Sequence, residues 1–365
     1  MKKTILILFV FAVAALPAVA QQLPDNHFES WPGKFKSDPQ PADWHGSNVD
    51  QVVKFTLLFQ KPGRTGYCAY VENRKVGAMG ITELAPGYFS LGTPWQYIKG
   101  LNTKSATGGT TGGIEWKYRP DTMAVWIKRT GDNTDKEDFH LLYYAWSGTA
   151  KSSQYKGKAG GCTETERVNE QCDIRQALDG NACGTDQKAR QIAEGWIHKR
   201  AKYNEWTLVK VPIYYFNSAR PTMCNVIFAG GNYPAGGSSD GLYEGNGLYV
   251  DDVEMIYSSR IDKLTINGKE WKEFNPNSSD VQICKLSALA PQTETAAQPA
   301  EIKIEGFRGI GTLTNTQGKK AHFGGRKLDG TEMTVTAGAL KGNPWVITVK
   351  AEDGSSTHTY KIKIE

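Results

Sequence analysis

Short strand-sized runs dominate the sequence after its first twenty residues. Each run alternates apolar with polar positions or is rich in β-branched and aromatic residues, and Gly, Pro, Asn or Asp separates it from the next. This pattern is typical of an all-β sandwich. The clearest runs are residues 52–59, 123–128, 139–146, 206–215, 226–229 and 248–257. Residues 186–202 are the main exception, because their apolar spacing predicts a short helix.

The first twenty residues have the features of a secretory signal peptide. Two lysines precede an apolar run, and small residues at 18–20 form a cleavage site, so the mature chain is predicted to begin at Gln21. The run is too short for a membrane span. No cysteine follows the cleavage site to accept a lipid. We therefore expect a secreted protein, periplasmic, extracellular or at the cell surface, and not a lipoprotein.

The length of 365 residues predicts two folding units. We place the boundary between residues 21–258 and residues 259–365, where the pattern changes after the run 248–257. The second unit begins with a strand that enters Asn267-Gly268, a strong hairpin signal, and it ends with two more alternating runs. Roughly 105 residues of short strands predict a smaller immunoglobulin-like sandwich.

Two segments that lie far apart in the chain are expected to be neighbours in space. One is His27-Phe28-Glu29-Ser30-Trp31, and the other is the strand-like segment 247–255, which contains adjacent aspartates. Strict alternation divides the second segment between two faces. One face receives Leu248, Val250, Asp252 and Glu254, and the other receives Tyr249, Asp251, Val253 and Met255.

These segments, together with Tyr118-Arg119-Pro120-Asp121 before a strand, resemble a family of secreted Bacteroidetes proteins that carry a carbohydrate metabolism domain. The resemblance covers about residues 22–258 and implies a jelly-roll sandwich related to carbohydrate-binding modules. The cysteine-rich stretch 151–200 is longer than the family core needs. Residues 259–365 resemble the small Ig-like modules that Bacteroidetes append to surface glycan proteins. This implies a spacer or a docking unit for a cell-surface protein.

The carboxylates of the two segments predict a structural calcium ion. In a jelly roll the first and last strands are commonly adjacent, so Glu29 is expected to approach Asp251 or Asp252. Calcium takes about six to eight oxygen ligands, which carboxylates and backbone carbonyls supply. The alternative is that one aspartate faces solvent and the other bonds to a turn.

Aromatic residues are the main indication of function, because they make up 11% of the chain and include ten tryptophans. Sugars stack their C–H faces on aromatic rings, while their hydroxyl groups need polar partners. The net charge is only +5 and the basic residues are scattered, which argues against nucleic acid as a partner. We therefore expect a protein that binds an oligosaccharide or polysaccharide.

The Gly-rich segment 229–241 predicts a long loop at the rim of the ligand site, with a flexible connector as the alternative. Loop positions and polar chemistry select the candidate ligand-binding residues. They are Trp44, Trp95, Tyr97, Arg119, Asn232, Tyr233 and Asp240. Three other tryptophans lie in strong strand patterns and are predicted to fill the core. They are Trp126, Trp146 and Trp206.

Two other functions stay open. A glycoside hydrolase or lyase would need two carboxylates held across a cleft. Its candidates are Glu29, Glu115, Asp138, Asp251, Asp252 and Glu254. A surface adhesin or structural subunit would instead present an exposed apolar patch or an unpaired sheet edge.

Six cysteines in an exported chain favour disulfides. Cys162, Cys172 and Cys183 lie in one polar segment that would need crosslinks. We predict a bridge between Cys162 and Cys172, and a bridge from Cys183 to Cys224 or Cys68. Zinc is the alternative, but the sequence has no Cys-x-x-Cys pair.

Overall fold

A computed structural model describes most of the chain from Gln21 onward. The described residues are 21–50, 53–78, 80–97, 107–148, 190–216, 219–233, 241–266, 268–285, 301–305, 310–314, 320–324, 331–336 and 344–365. Every regular element among them is a β-strand, so the predicted all-β fold class is confirmed. No helix in the described part of the chain is long and apolar enough to cross a membrane.

Twenty strands lie among the described residues of the N-terminal region, 21–258. They are β1 Gly33–Phe35, β2 Asp38–Gln40, β3 His45–Gly46, β4 Val49–Asp50, β5 Lys54–Phe55, β6 Leu58–Pro62, β7 Tyr67–Glu72, β8 Arg74–Ala78, β9 Ile81–Ala85, β10 Tyr88–Ser90, β11 Thr93–Tyr97, β12 Thr107–Thr111, β13 Ile114–Glu115, β14 Thr122–Thr130, β15 Phe139–Ser147, β16 Arg190–Lys199, β17 Thr207–Pro212, β18 Tyr214–Tyr215, β19 Met223–Ala229 and β20 Gly247–Ile256.

Two antiparallel sheets of the N-terminal region pack face to face. The five-stranded sheet has the order β17-β14-β20-β7-β6, and the seven-stranded sheet has the order β18-β16-β15-β19-β10-β3 with β13 beside β19. Apolar side chains from both sheets join one core, for example Val71 and Val250 from the first and Leu141 and Phe228 from the second. This region is therefore a β-sandwich.

The segment before β1 lies along β20, as predicted. The Asn26 amide donates to the Val253 carbonyl at 2.7 Å, and the Gln22 side chain exchanges two hydrogen bonds with the backbone of Met255. Phe28 is fully buried in the sandwich core. These contacts fix the early segment against the late strand and confirm that the two are neighbours.

A β-bulge interrupts the alternation of β20. The register between β14 and β20 shifts at Ala124/Trp126, and Asp252 adopts a φ of +46°. After the bulge the faces exchange, so the prediction of strict alternation is wrong beyond Asp251. Four apolar residues of β20 now share the core side. They are Leu248, Val250, Val253 and Met255.

The helix predicted over 186–202 is wrong for the described residues, because Arg190–Lys199 is strand β16. The register between β15 and β16 shifts at Ala145/Trp146. As a result two consecutive residues, Ile192 and Ala193, both enter the core. A bulged strand thus gives an apolar spacing that imitates a helix.

The described part of the C-terminal region, residues 259–365, contains nine strands. They are β21 Lys263–Ile266, β22 Lys269–Glu270, β23 Val281–Cys284, β24 Glu301–Glu305, β25 Ile310–Thr314, β26 Lys320–Gly324, β27 Thr331–Thr336, β28 Trp345–Lys350 and β29 Thr357–Ile364.

The C-terminal strands form a four-stranded sheet, β22-β21-β24-β27, and a five-stranded sheet, β23-β29-β28-β25-β26. The pairing of Ile266 with Lys269 confirms the hairpin predicted around Asn267-Gly268. The antiparallel pair β28-β29 confirms the predicted closing hairpin, while β23 pairs with β29 in parallel. Two sheets of short strands fit the smaller sandwich predicted here, and the boundary after residue 258 stays a prediction.

An ion-pair cluster connects the turn between β28 and β29 with the N-terminal region. Glu352 pairs with Arg119 at 2.9 Å and with Arg220 at 3.0 Å. The Glu352 side chain is only 3% exposed and that of Arg119 only 9%. The neighbouring Ala351 packs against the core of the N-terminal sandwich.

Cys68, Cys224 and Cys284 are buried free thiols. The predicted bridge from Cys183 to Cys224 or Cys68 is therefore wrong, since both of these partners keep their thiols. Cys162, Cys172 and Cys183 lie outside the described residues, as does most of the insertion 151–200. The predicted signal peptide, residues 1–20, lies outside them too.

Candidate functional site

The outward face of the N-terminal five-stranded sheet carries a row of aromatic side chains. Alternation that directs Leu58, Val71 and Val250 into the core turns their neighbours Phe59, Tyr70 and Tyr249 outward. Phe59 is paired with Tyr70 across β6 and β7, and Tyr70 with Tyr249 across β7 and β20. Their ring centroids are 6.1 Å and 4.3 Å apart.

Trp206, directly before β17, extends the row to the opposite edge of the sheet. Its ring meets that of Tyr249 edge-on, with centroids 6.2 Å apart. We call Phe59, Tyr70, Tyr249 and Trp206 the aromatic row. It crosses the sheet from β6 to the edge beside β17, and its consecutive centroid distances limit its length to about 17 Å.

The rings of the row differ in exposure. Phe59, Tyr249 and Trp206 are partly exposed, whereas Tyr70 is 6% exposed. Burial raises the pKa of Tyr70, whose hydroxyl donates to the Glu72 carboxylate at 2.7 Å. The row therefore offers partly exposed ring faces with a polar group beside them.

The prediction that Trp126 and Trp206 fill the core is wrong, because both lie partly exposed on the outward face. Trp146 is buried, as predicted. The strand pattern itself held the correct signal for Trp126. Its neighbours Val125 and Ile127 point inward, so strict alternation turns Trp126 outward.

A polar cluster adjoins Trp126 at the end of β20. The Arg64 guanidinium stacks over the Trp126 ring, 3.8 Å from its centroid, and donates to the Asp252 carboxylate. His27 Nδ1 lies 2.7 Å from the other Asp252 oxygen. The short β6–β7 turn brings Arg64 over the sheet, so Asp252 and Trp126 both have a cationic neighbour.

Asp251 is enclosed within the same cluster. Its carboxylate accepts the backbone N–H groups of Arg64 at 2.7 Å and Asp252 at 2.9 Å, and the residue is 1% exposed. Burial raises its pKa from 3.8 to about 6, although the two backbone donors oppose the shift. Such a pKa suits a proton donor, but a ligand has no access to either oxygen.

The predicted calcium ligands lie near this cluster and have protein partners. Glu29 accepts the Tyr67 N–H at 3.0 Å, and Asp252 is paired with Arg64 and His27. Within the described ranges, no group of three or more His, Cys, Asp or Glu side chains is arranged to hold a metal ion. Asp251 bonds to the β6–β7 turn, as the alternative interpretation expected for one aspartate. Calcium binding stays a prediction.

The other candidate catalytic carboxylates are dispersed over the fold. Glu115 lies on β13 of the seven-stranded sheet, while Glu254 lies on β20 of the five-stranded sheet. Asp138 pairs with Arg200 at 3.3 Å. These placements do not assemble an acid and a base around one position.

Two predicted sugar-stacking rings are buried. Trp44 is 2% exposed, stacks on Phe228 in the core and donates its indole N–H to the Pro24 carbonyl at 2.9 Å. Tyr233 is 7% exposed and packs edge-on against Tyr88. Neither ring has a free face for a sugar, so both predictions are wrong. Proximity to a loop in the sequence does not show whether an aromatic residue lines the rim of a ligand site or is buried in the core.

The remaining predicted ligand residues do not join the aromatic row. Arg119 is held in its ion pair with Glu352, so its guanidinium is not the predicted ligand contact. Asn232 is partly exposed and donates its backbone N–H to Glu137. Trp95 and Tyr97 belong to β11, but their side chains lie outside the described residues. Asp240 lies outside them entirely.

Glu137 anchors the loops at one end of the sandwich, and sequence reasoning missed it. The residue is 1% exposed, and its carboxylate accepts Asn246 Nδ2 at 2.6 Å, Asn73 Nδ2 at 2.9 Å and the Asn232 N–H at 3.0 Å. Burial raises the pKa of Glu137, while these bonds oppose the shift. The carboxylate therefore orders the first residues of the Gly-rich segment and the turn before β20.

Comparisons with known proteins identify no family. No family model matches the chain, and no curated protein matches it. A solved structure from Bacteroides thetaiotaomicron, described as a "putative glycoside hydrolase", has a TM-score of 0.40 and 17% identity over 64% of this chain and 71% of that one. A second, from Bacteroides vulgatus and described in the same words, has a TM-score of 0.34 and 17% identity over 55% and 77%.

The adhesin domain of Epf from Streptococcus pyogenes is a third similar structure, with a TM-score of 0.22 and 8% identity over 82% of this chain and 77% of that one. All three likenesses are too distant to carry an argument about function. The case for a function therefore depends on the chain's own geometry.

Proposed function

We propose that this protein binds carbohydrate non-covalently on the outward face of the N-terminal five-stranded sheet. The observation that carries the proposal is the aromatic row, which crosses the sheet from Phe59 to Trp206. Sugar C–H faces stack on such rings, and the flanking Glu72 and Lys128 side chains suit the sugar's hydroxyl groups.

The shape of the site favours a chain of sugars over a single sugar. The rings follow one level across the strands of the sheet instead of surrounding a closed pocket. An extended ligand that lies across the strands would contact several rings at once. The proposed ligand is therefore an oligosaccharide or polysaccharide.

Binding without cleavage is the proposal that the carboxylates support. Asp251 has the raised pKa of a proton donor, but it is enclosed and both its oxygens accept backbone N–H groups. The predicted signal peptide supports action outside the cytoplasm. We propose the C-terminal region as a spacer or docking unit, as its resemblance to Ig-like modules implies.

Substitution of Trp206 tests the proposal. Trp206→Ala removes the ring at one end of the row, and we expect affinity for a bound polysaccharide to fall about tenfold or more. Affinity electrophoresis in gels containing xylan, laminarin or polygalacturonate measures this change. Trp196→Ala is the matched control, because Trp196 is 52% exposed on β16 of the other sheet.

The site would be supported if a polysaccharide slowed the migration of the wild type, if Trp206→Ala weakened this effect, and if Trp196→Ala left it unchanged. If Trp206→Ala bound as tightly as the wild type, the aromatic row would not be the binding surface. An absence of binding to all three polysaccharides would count against the function itself.

A further inference from the structure

Two lysines hold their ammonium groups over the aromatic row. Lys128 Nζ lies 4.5 Å from the Tyr249 ring centroid and 5.5 Å from that of Trp206. Lys61 Nζ lies 5.8 Å from the Phe59 centroid and 6.0 Å from that of Tyr70. Each half of the row therefore carries its own positive charge.

Neither lysine has a carboxylate partner in the part of the chain that the structure describes. Other cations around the row do have partners, since Arg64 pairs with Asp252, and Arg74 lies 3.7 Å from Glu72. Two carboxylates lie next to the row. Glu72 accepts the Tyr70 hydroxyl and lies near Arg74, and the Asp251 oxygens accept backbone N–H groups. The charge of the two lysines is thus left without an internal counterion.

The two ammonium groups lie over neighbouring rings, because Lys61 Nζ is 6.0 Å from the Tyr70 centroid, Lys128 Nζ is 4.5 Å from the Tyr249 centroid, and these two centroids are 4.3 Å apart. Burial, together with the nearby charge of Asp251, raises the pKa of the Cys68 thiol to about 12, while Lys128 and Lys61 oppose the shift. Two lysines from strands β14 and β6 therefore act on a common point on β7. An anion bound over the middle of the row would interact with both.

A ring face attracts an ammonium group only weakly, by about 0.5–1 kcal/mol at an exposed site. A charge-assisted hydrogen bond to a carboxylate or sulfate is stronger. A neutral sugar that stacks on Tyr249 must displace Lys128 and offers the ammonium group only uncharged hydroxyl groups. A sugar that carries an anion supplies this partner as it stacks.

We propose that the ligand of the aromatic row is an acidic polysaccharide whose carboxylate or sulfate groups bind Lys61 and Lys128. This inference rests on the proposed function and names its ligand class. The rings contact the sugar faces, and the two lysines select for anionic substituents.

Calorimetric titration of the chain from Gln21 to Glu365 tests this proposal. The ligands are polygalacturonate for carboxylates, dextran sulfate for sulfates, unmodified dextran and xylan as neutral polysaccharides, and polyphosphate as a polyanion without sugar. We compare the wild type with the double variant Lys61→Gln/Lys128→Gln. Lys350→Gln is the control, because Lys350 is an exposed lysine on β28.

We expect polygalacturonate or dextran sulfate to bind more tightly than dextran and xylan, and the stronger of the two identifies the anion. The double variant should weaken acidic binding by roughly tenfold or more, while Lys350→Gln leaves it unchanged. Added salt should weaken it as well. Melting temperatures close to the wild-type value would show that the variants are folded.

Three outcomes would overturn the inference. If neutral polysaccharides bound more tightly than acidic ones, and this binding depended on Trp206, the acidic ligand class would be wrong and the proposed function would stand. If polyphosphate bound as tightly as the acidic polysaccharides and the double variant weakened its binding equally, the lysines would attract any polyanion and would not recognise an acidic sugar. No binding of any polysaccharide by the wild type would overturn the function and the inference together.

Discussion

At the scale of single residues, enclosure decides what each charged group can do. Asp251 and Asp252 are adjacent in sequence, yet Asp251 is 1% exposed and bonds to backbone, while Asp252 pairs with Arg64 and His27. The left-handed φ of Asp252 turns the two carboxylates into different environments. One is a structural support of the β6–β7 turn, and the other is half of a surface ion pair.

The raised pKa of Asp251 predicts a specific pH dependence of stability. Because the pKa rises from 3.8 to about 6 on folding, its contribution is fully present below pH 3.8 and is lost as pH rises through about 6. The free energy of unfolding of the wild type, relative to that of Asp251→Asn, should fall by about 3 kcal/mol between pH 3 and pH 8. Urea denaturation across this range measures the difference. If the difference in free energy of unfolding stayed constant or increased with pH, the raised pKa of Asp251 would be contradicted.

Residue chemistry alone did not show which aromatic residues are exposed. Aromatic abundance predicted a stacking surface, but Trp44 is in the core while Trp206 lies on the outward face. Composition gives the number of rings, whereas their exposure depends on which sheet covers them. Alternation in β14 did contain the information for Trp126.

At the scale of elements, the bulge in β20 and the loops at the sandwich ends shape the site. The bulge returns Val253 and Met255 to the core after Asp251 has faced outward. At the opposite end of the strand, the turn after β14 passes close to Asn246. Gly131 lies in this turn with a φ of +116°.

Gly131 should resist substitution more strongly than a glycine in open space. A Cβ at this position would lie 2.4 Å from Asn246 Oδ1 and 2.9 Å from the Gly245 carbonyl oxygen. We expect Gly131→Ala to lower the free energy of unfolding by about 3 kcal/mol or more. Gly245→Ala is the control, since it shares a positive φ but meets nothing within 4 Å, and about 1 kcal/mol is expected. If urea denaturation showed that both variants lose the same free energy of unfolding, the close approach of Asn246 to Gly131 would be contradicted.

The long core strands could be predicted from the sequence, because alternating apolar residues report a buried sheet face directly. The runs around β14, β15 and β19 and the two C-terminal hairpins are examples. Strand β16 was missed, since its bulge places Ile192 and Ala193 side by side in the core. Glu137 was missed because nothing local marks a carboxylate whose partners come from distant loops.

At the scale of the whole molecule, two sets of sheets share one chain. Strand pairing among the described residues stays within the N-terminal or the C-terminal region. The Glu352 ion pairs with Arg119 and Arg220 nevertheless connect the two. The proposed binding face belongs to the N-terminal region, so the C-terminal region is not needed to form the aromatic row.

Hydroxyl-radical footprinting in the presence of xylan, laminarin or polygalacturonate tests the central claim most directly. We predict that a bound polysaccharide protects Trp206, Tyr249 and Phe59 from oxidation. Trp196 and Tyr214, exposed on the seven-stranded sheet, should stay as reactive as in the free protein. Protection of Trp196 and Tyr214 with an unchanged aromatic row would contradict the account.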